Sequence, residues 1–154
     1  MVTAQMNTTP DTDASQVFEQ TLPTRWMDND QFGHLNNSVH HALVDTVVND
    51  FLTHIGLGQD PAAKTRFVVV ENGCTYLSEM RYPDRIAVRL TLGRIGKTSV
   101  RYELTLRTVD NEAIAAKSHL VHVNVNSESG RPMPLARAQR DALLPYAFRK
   151  RTRP

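Results

Sequence analysis

The chain has 154 residues, 40% apolar and 22% charged, with a formal net charge of +2. That length predicts one domain able to bury a core, and so small a charge argues against nucleic acid as a partner. The lone cysteine, Cys74, excludes an intramolecular disulfide framework, and no apolar run reaches the ~20 residues of a membrane-crossing helix. Cys74 lies in "VVVENGCTYL", where the only neighbouring charge is acidic, so an inert strand thiol is expected. The N-terminus has neither a basic head nor an apolar stretch, so it does not read as a secretory signal, and a cytoplasmic setting is expected.

Residues 1–16 are rich in Thr, Ser, Asp and Gln without periodicity and read as a disordered leader. Residues 17–145 read as the domain, and residues 146–154, ending in "RKRTRP", as a basic tail. A strand is predicted from Val17 to Arg25. The polar stretch "DNDQFGHLNNSVHH" (28–41) then leads into the best-defined helix. Val39, Leu43, Val47, Phe51 and Ile55 recur every four residues, and Val44, Val48 and Leu52 widen that stripe. Asn36 or Asn37 can cap its start, and Gly56 can stop it.

Everything after "GLGQDPAAK" reads as strand. "RFVVVENGCTYLSEM" is β-branched, with Asn72-Gly73 expected as a bend or bulge. "RIAVRLTL" alternates with Ile86, Val88, Leu90 and Leu92 on one face, and "TSVRYELTLRT" does so with Val100, Tyr102, Leu104 and Leu106. "GRIGK" and "VDNEA" are turns, "AIAAKSHLVHVNV" is a further strand, and "LARAQRDALL" is a short helix. A strand, a long apolar helix, then four or five antiparallel strands form an α+β domain. Its sheet must curl around the one helix able to fill its concave face.

The chemistry gathers where that helix begins. Its first turn has backbone N–H groups without intrahelical partners, and the macrodipole adds about half a positive charge there. Gly33 lacks a Cβ and lets a ligand atom approach the backbone. Such a place suits an anion, or an oxygen becoming one during reaction. Asp30, three residues earlier, can face the same spot and serve attack on an activated carbonyl. The plainer roles of cap and turn residue apply to the same Asp and Asn positions. His34, His40, His41 and Asp45 raise a metal cluster, since His41 and Asp45 share a helical face. No HExxH or paired-cysteine pattern joins them, so no metal site is expected. His54, His119 and His122 read as surface or satisfied core residues.

"RWMDNDQFGHLNNSVHHALVD" resembles the opening signature of hotdog-fold thioesterases of the 4-hydroxybenzoyl-CoA thioesterase and acyl-CoA thioester hydrolase type, roughly Asp-x-Asp-x-x-Gly-His-Val-Asn-Asn. "FVVVENGCTYLSEMRYPDRIAVRLTLGRIGKTSVRYEL" and "NSESGRPMPLARAQRDAL" resemble the following strands and closing segment, so the likeness covers about residues 18 to 144. The resemblance implies a curved antiparallel sheet around one central helix and an acyl-CoA thioesterase, with coenzyme A as part of the substrate and no separate cofactor. It makes Asp30 the nucleophile or general base, and places Gly33 at the start of the segment whose amides polarise the thioester carbonyl. His34 becomes a participant and Asn37 an orienting residue, with Asp28 holding the loop. Asn36 and His40 stand at substrate-binding positions, His40 where many relatives have tyrosine, and Asp45 stands where glutamate is common. Arg94, Lys97, Thr98 and Ser99, in "GRIGKTSVR", correspond to a turn near the nucleotide. The resemblance also implies a homodimer or an assembly of dimers, with each site built from two chains.

Two rival classes are consistent with this reading. Hotdog hydratases and dehydratases carry an Asp-x-Asn-Pro-Leu-His arrangement, which "DQFGHL" does not match. A non-hydrolytic acyl-CoA-binding module is the other; sensors of that kind carry an added DNA-binding region, for which the leader is too short.

Overall fold

A computed structural model describes residues 16–148. The strands are β1 (Phe18–Pro23), β2 (Thr65–Tyr76), β3 (Arg85–Ile95), β4 (Ser99–Thr108) and β5 (Ala116–Asn126). Helix α1 (Asn37–His54) lies between β1 and β2, and a short α2 (Arg137–Leu143) follows β5. The five strands make one antiparallel sheet in the order β1-β3-β4-β5-β2.

The core is α1 against the concave face of this sheet. Leu43, Val44, Val47, Val48, Phe51 and Leu52 are buried on the helix, and Ile86, Val88, Leu90 and Leu92 on β3. Val100, Tyr102, Leu104 and Leu106 complete the wall from β4. Each of these strand sets is an alternating set, because successive side chains of a strand leave opposite faces. Full burial of one such side chain is worth roughly 1.5–3 kcal/mol, which makes α1 the anchor of the domain. The result is the hotdog architecture expected from the sequence.

Two details differ from the sequence reading. The irregularity of β2 lies between Val69 and Glu71, not at Asn72-Gly73. Gly73 pairs with His119, and a Cβ on it would stand 2.5 Å from that imidazole's Cε1, so the residue is small to make room for a ring. Past residue 145 the chain still packs: Tyr146 is buried with its ring 4.8 Å from that of Phe51, and the Phe148 amide donates to the Leu92 carbonyl. The remainder of the basic tail, and all but the last residue of the expected leader, lie outside the described residues.

The two sheet edges are unlike. β1 is short and ends in proline, which blunts it. β2 is twelve residues long, with Val69, Val70 and Tyr76 exposed. Among the described residues nothing pairs with its outer side.

Candidate active site

The segment before α1 folds back on itself as a tight hairpin. Asn29 bridges Leu35, the Asn36 amide donates to the Asp28 carbonyl (2.9 Å), and the Asp30 amide donates to the His34 carbonyl (2.7 Å). Gly33 closes the turn with φ 81°, a conformation that favours glycine, and its N–H donates to the Asp30 carbonyl at 3.1 Å. The hairpin is tied to the loop after β2: the Leu35 amide reaches Met80 O at 2.8 Å, and Asn29 Oδ1 accepts from the Tyr82 amide at 3.0 Å.

The two aspartates of the signature have separate work. Asp28 is buried, and one of its oxygens accepts from the Arg25 guanidinium at 2.8 and 3.0 Å while the other accepts from the Arg25 amide. Burial alone would raise its pKa, but the Arg25 hydrogen bonds and charge outweigh that and hold the carboxyl below its ordinary range. It is a fixed structural anion. Asp30 is half-buried, and its Oδ1 accepts from the amides of Phe32 (2.8 Å) and His34 (3.3 Å). Its Oδ2 has no protein partner among the described residues.

At the helix start Asn36 is the cap, its Oδ1 accepting from the Ser38 amide at 3.0 Å. Asn37 is therefore the first helical residue, with no carbonyl four residues back in the helix to receive its N–H. The Gly33 amide is used within the turn, whereas the Asn37 amide at the helix start has no partner among the described residues. His34 Nε2 lies 2.8 Å from Glu79 Oε2, a residue of the loop after β2. His40 faces inward: it is buried, its Nδ1 is 3.3 Å from the Asn36 carbonyl, and its ring meets the Tyr76 ring edge-on at 4.9 Å. Burial pushes its pKa down. Trp26, Met27 and Phe32 are 82%, 73% and 74% exposed, an apolar collar around the hairpin that a ligand or a second chain can cover.

Arg94, Lys97, Thr98 and Ser99 lie elsewhere. Pro23, beside the hairpin, pairs with Arg85 at the start of β3, whereas Arg94 is at the end of that strand. Nine residues of strand separate them by roughly 30 Å. The turn's backbone is held by the segment around α2, with the Leu135 amide on Lys97 O and Arg140 on Gly96 O. One chain does not bring these residues to Asp30.

At that distal end lies a cavity of about 800 Å³ between the second half of α1, the start of β2 and β5. Asp45, Asn49, Phe67, His122 and Gln139 are among its lining residues. His122 is 4% exposed, and Phe67 stacks on it at 5.5 Å. Two residues, one at each end, were given no functional role from sequence. Glu79 carries no local signal, because the contact with His34 spans the whole of α1 and β2. His122 does carry one, since it alternates with Leu120 and Asn124 on the inward face of β5.

The profile of the thioesterase-like superfamily matches residues 24–143, most of the chain. The chain belongs to the thioesterase-like superfamily. A Pseudomonas aeruginosa PAO1 protein, PA5185, is 35% identical in sequence and superposes with a TM-score of 0.80 over 85% of this chain and 92% of its own. Two further structures share the fold. A 1,4-dihydroxy-2-naphthoyl-CoA thioesterase from Synechocystis is 14% identical, with TM-score 0.76 over 83% of this chain and 96% of its own. A Staphylococcus aureus protein solved in complex with CoA is 21% identical, with TM-score 0.79 over 85% and 84%. The chain is thus a hotdog-fold thioester hydrolase, and the hairpin and helix entrance are where this thioesterase-like protein keeps its free carboxylate oxygen and free amide.

Proposed function

We propose that this protein hydrolyses an acyl-CoA thioester to the free acid and coenzyme A, with Asp30 as nucleophile or general base. The observation that carries this reading is the state of the Asp30 carboxylate. One oxygen is pinned by two loop amides while the other is unpartnered, on a hairpin that leads within a few residues to the unpaired Asn37 amide. As nucleophile, Asp30 bonds to the carbonyl carbon, thiolate leaves with the C–S electron pair, and water opens the resulting anhydride. As base, it takes a proton from the attacking water. Either way the carbonyl oxygen gains charge, and the Asn37 N–H at the positive end of α1 stabilises it. Glu79 engages the side chain of His34, the residue whose amide donates to Asp30. The likeness to a CoA-thioesterase and to a CoA-bound protein supports coenzyme A as the carrier, and nothing in this chemistry calls for a further cofactor.

The exposed edge of β2 supports a homodimer formed by antiparallel pairing of two β2 strands. Pairing about the strand's midpoint sets the start of β2 against the end of the partner's β2, which leads to the partner's hairpin. The distal cavity and the turn bearing Arg94, Lys97, Thr98 and Ser99 then meet the partner's Asp30, not their own. The acyl chain enters the cavity and the basic turn meets the nucleotide phosphates. The test is thiol release from acyl-CoAs of varied length, by the wild type and by Asp30→Asn. Turnover in the first and its loss in the second is expected. Hydration of enoyl-CoA without thiol release would instead favour the hydratase class.

A further inference from the structure

The distal cavity is lined by a buried histidine, and its hydrogen-bond pattern says which ring atom is left for a ligand. The Tyr102 hydroxyl is wholly buried and has one partner, His122 Nδ1 at 3.2 Å. A buried hydroxyl proton needs an acceptor, so Tyr102 donates and Nδ1 accepts. Burial pushes the His122 pKa down to about 4, so the ring is neutral near pH 7. Its single proton must therefore sit on Nε2, for which no partner exists among the described residues. Two neighbours are engaged elsewhere: Asn49 Nδ2 donates to the Asp45 carbonyl, Gln139 Oε1 accepts from the Ala136 amide, and Gln139 Nε2 donates to Asn124. The cavity wall thus presents the buried, neutral His122 N–H beside an aromatic ring, with the charged Asp45 and Arg66 also among the lining groups.

We propose that the Nε2–H of His122 makes this cavity selective for acyl groups that carry a neutral oxygen acceptor, such as a hydroxyl or keto oxygen, over unsubstituted alkyl chains. This rests on the reading that the cavity receives the acyl end of the substrate. An alkyl chain shuts solvent away from the N–H and leaves the donor unpaired, whereas an oxygenated chain supplies a bond in solvent's place. A site built around such a bond discriminates far more strongly than one that measures size alone.

The experiment uses non-hydrolysable thioethers, so that binding is read apart from turnover. S-octyl-CoA is compared by calorimetry with its 4-, 6- and 8-hydroxyoctyl counterparts. At least one hydroxylated ligand is expected to bind about tenfold tighter than S-octyl-CoA, falling to within about twofold in His122→Phe and partly recovering in His122→Gln, which keeps a donor. Equal affinities in the wild type, or a preference that survives His122→Phe, overturn the proposal. Nitrogen-15 spectra of the wild type give a readout that no misfolded variant can blur, since a proton on Nδ1 of His122 also overturns it. Preferential thioether binding without thiol release from any acyl-CoA would leave this inference standing and remove the hydrolase reading. Thiol release from octanoyl-CoA with no thioether preference would do the reverse.

Discussion

Replacing Asp30 by asparagine separates the two jobs of its side chain. Oδ1 supports the hairpin by accepting from Phe32 and His34 at 2.8 and 3.3 Å, and an amide oxygen can do the same. The structural loss is therefore the difference between a charged and a neutral acceptor, less than ~1 kcal/mol for a half-buried group. Asp30→Ala forfeits both bonds and costs about 1–2 kcal/mol. The chemical loss is larger in both variants, because the free Oδ2 becomes either an amide nitrogen or nothing. Removing the attacking or proton-accepting group reduces kcat/KM by at least about 100-fold, or ~2.7 kcal/mol of barrier. The assay is thiol release with acyl-CoA, beside thermal unfolding of the same samples. Asp30→Asn should unfold within about 2 °C of wild type while losing nearly all activity. Turnover within about threefold of wild type in that variant would refute the assignment.

Other expectations follow from named contacts. Glu79→Gln keeps the shape of the His34 partner but removes its charge, so kcat should fall by about tenfold with KM nearly unchanged; an equal effect on both would make Glu79 a binding residue. The folded pKa of His122, about 4, lies below its ordinary 6.5, so the unfolded chain binds more protons between those values. Stability should fall as pH drops from about 6.5 toward 4, by up to ~3 kcal/mol from this residue, with His40 acting in the same direction. Urea unfolding across that range should show a flatter slope in His122→Gln, and an unchanged slope would contradict this. Asp28, held below its ordinary range, adds a further loss only under stronger acid. Val70→Lys places two like charges near the midpoint of paired β2 edges, so the variant should sediment as a monomer and lose activity with it; an active monomer would dismiss the two-chain site.

Much of the fold was readable from periodicity. Every residue named on the alternating faces of β3 and β4 is buried, and so are most of the α1 stripe. These patterns are legible because burial acts on one face of an element at a time, and the element's own period writes that face into the sequence. The closeness of Asp30, Gly33 and Asn37 was legible for a related reason: a hairpin and a helix start lie within one short segment, so spacing and geometry nearly coincide.

The remainder depended on contacts between distant segments. Gly73 looked like a bend until its register with His119 showed a ring overhead. The Gly33 amide is consumed by a bond within its own turn, while the Asn37 amide has no partner among the described residues. Glu79, the Tyr102–His122 pair and the separation of the basic turn from Asp30 all arise from which strand ends the sheet brings together. By itself, the sequence determined the elements and their inward faces, since these follow from local period and backbone preference. Tertiary structure alone decided which hydrogen bonds were already taken and which atoms were left free, because a polar atom's availability depends on every neighbour the fold brings to it.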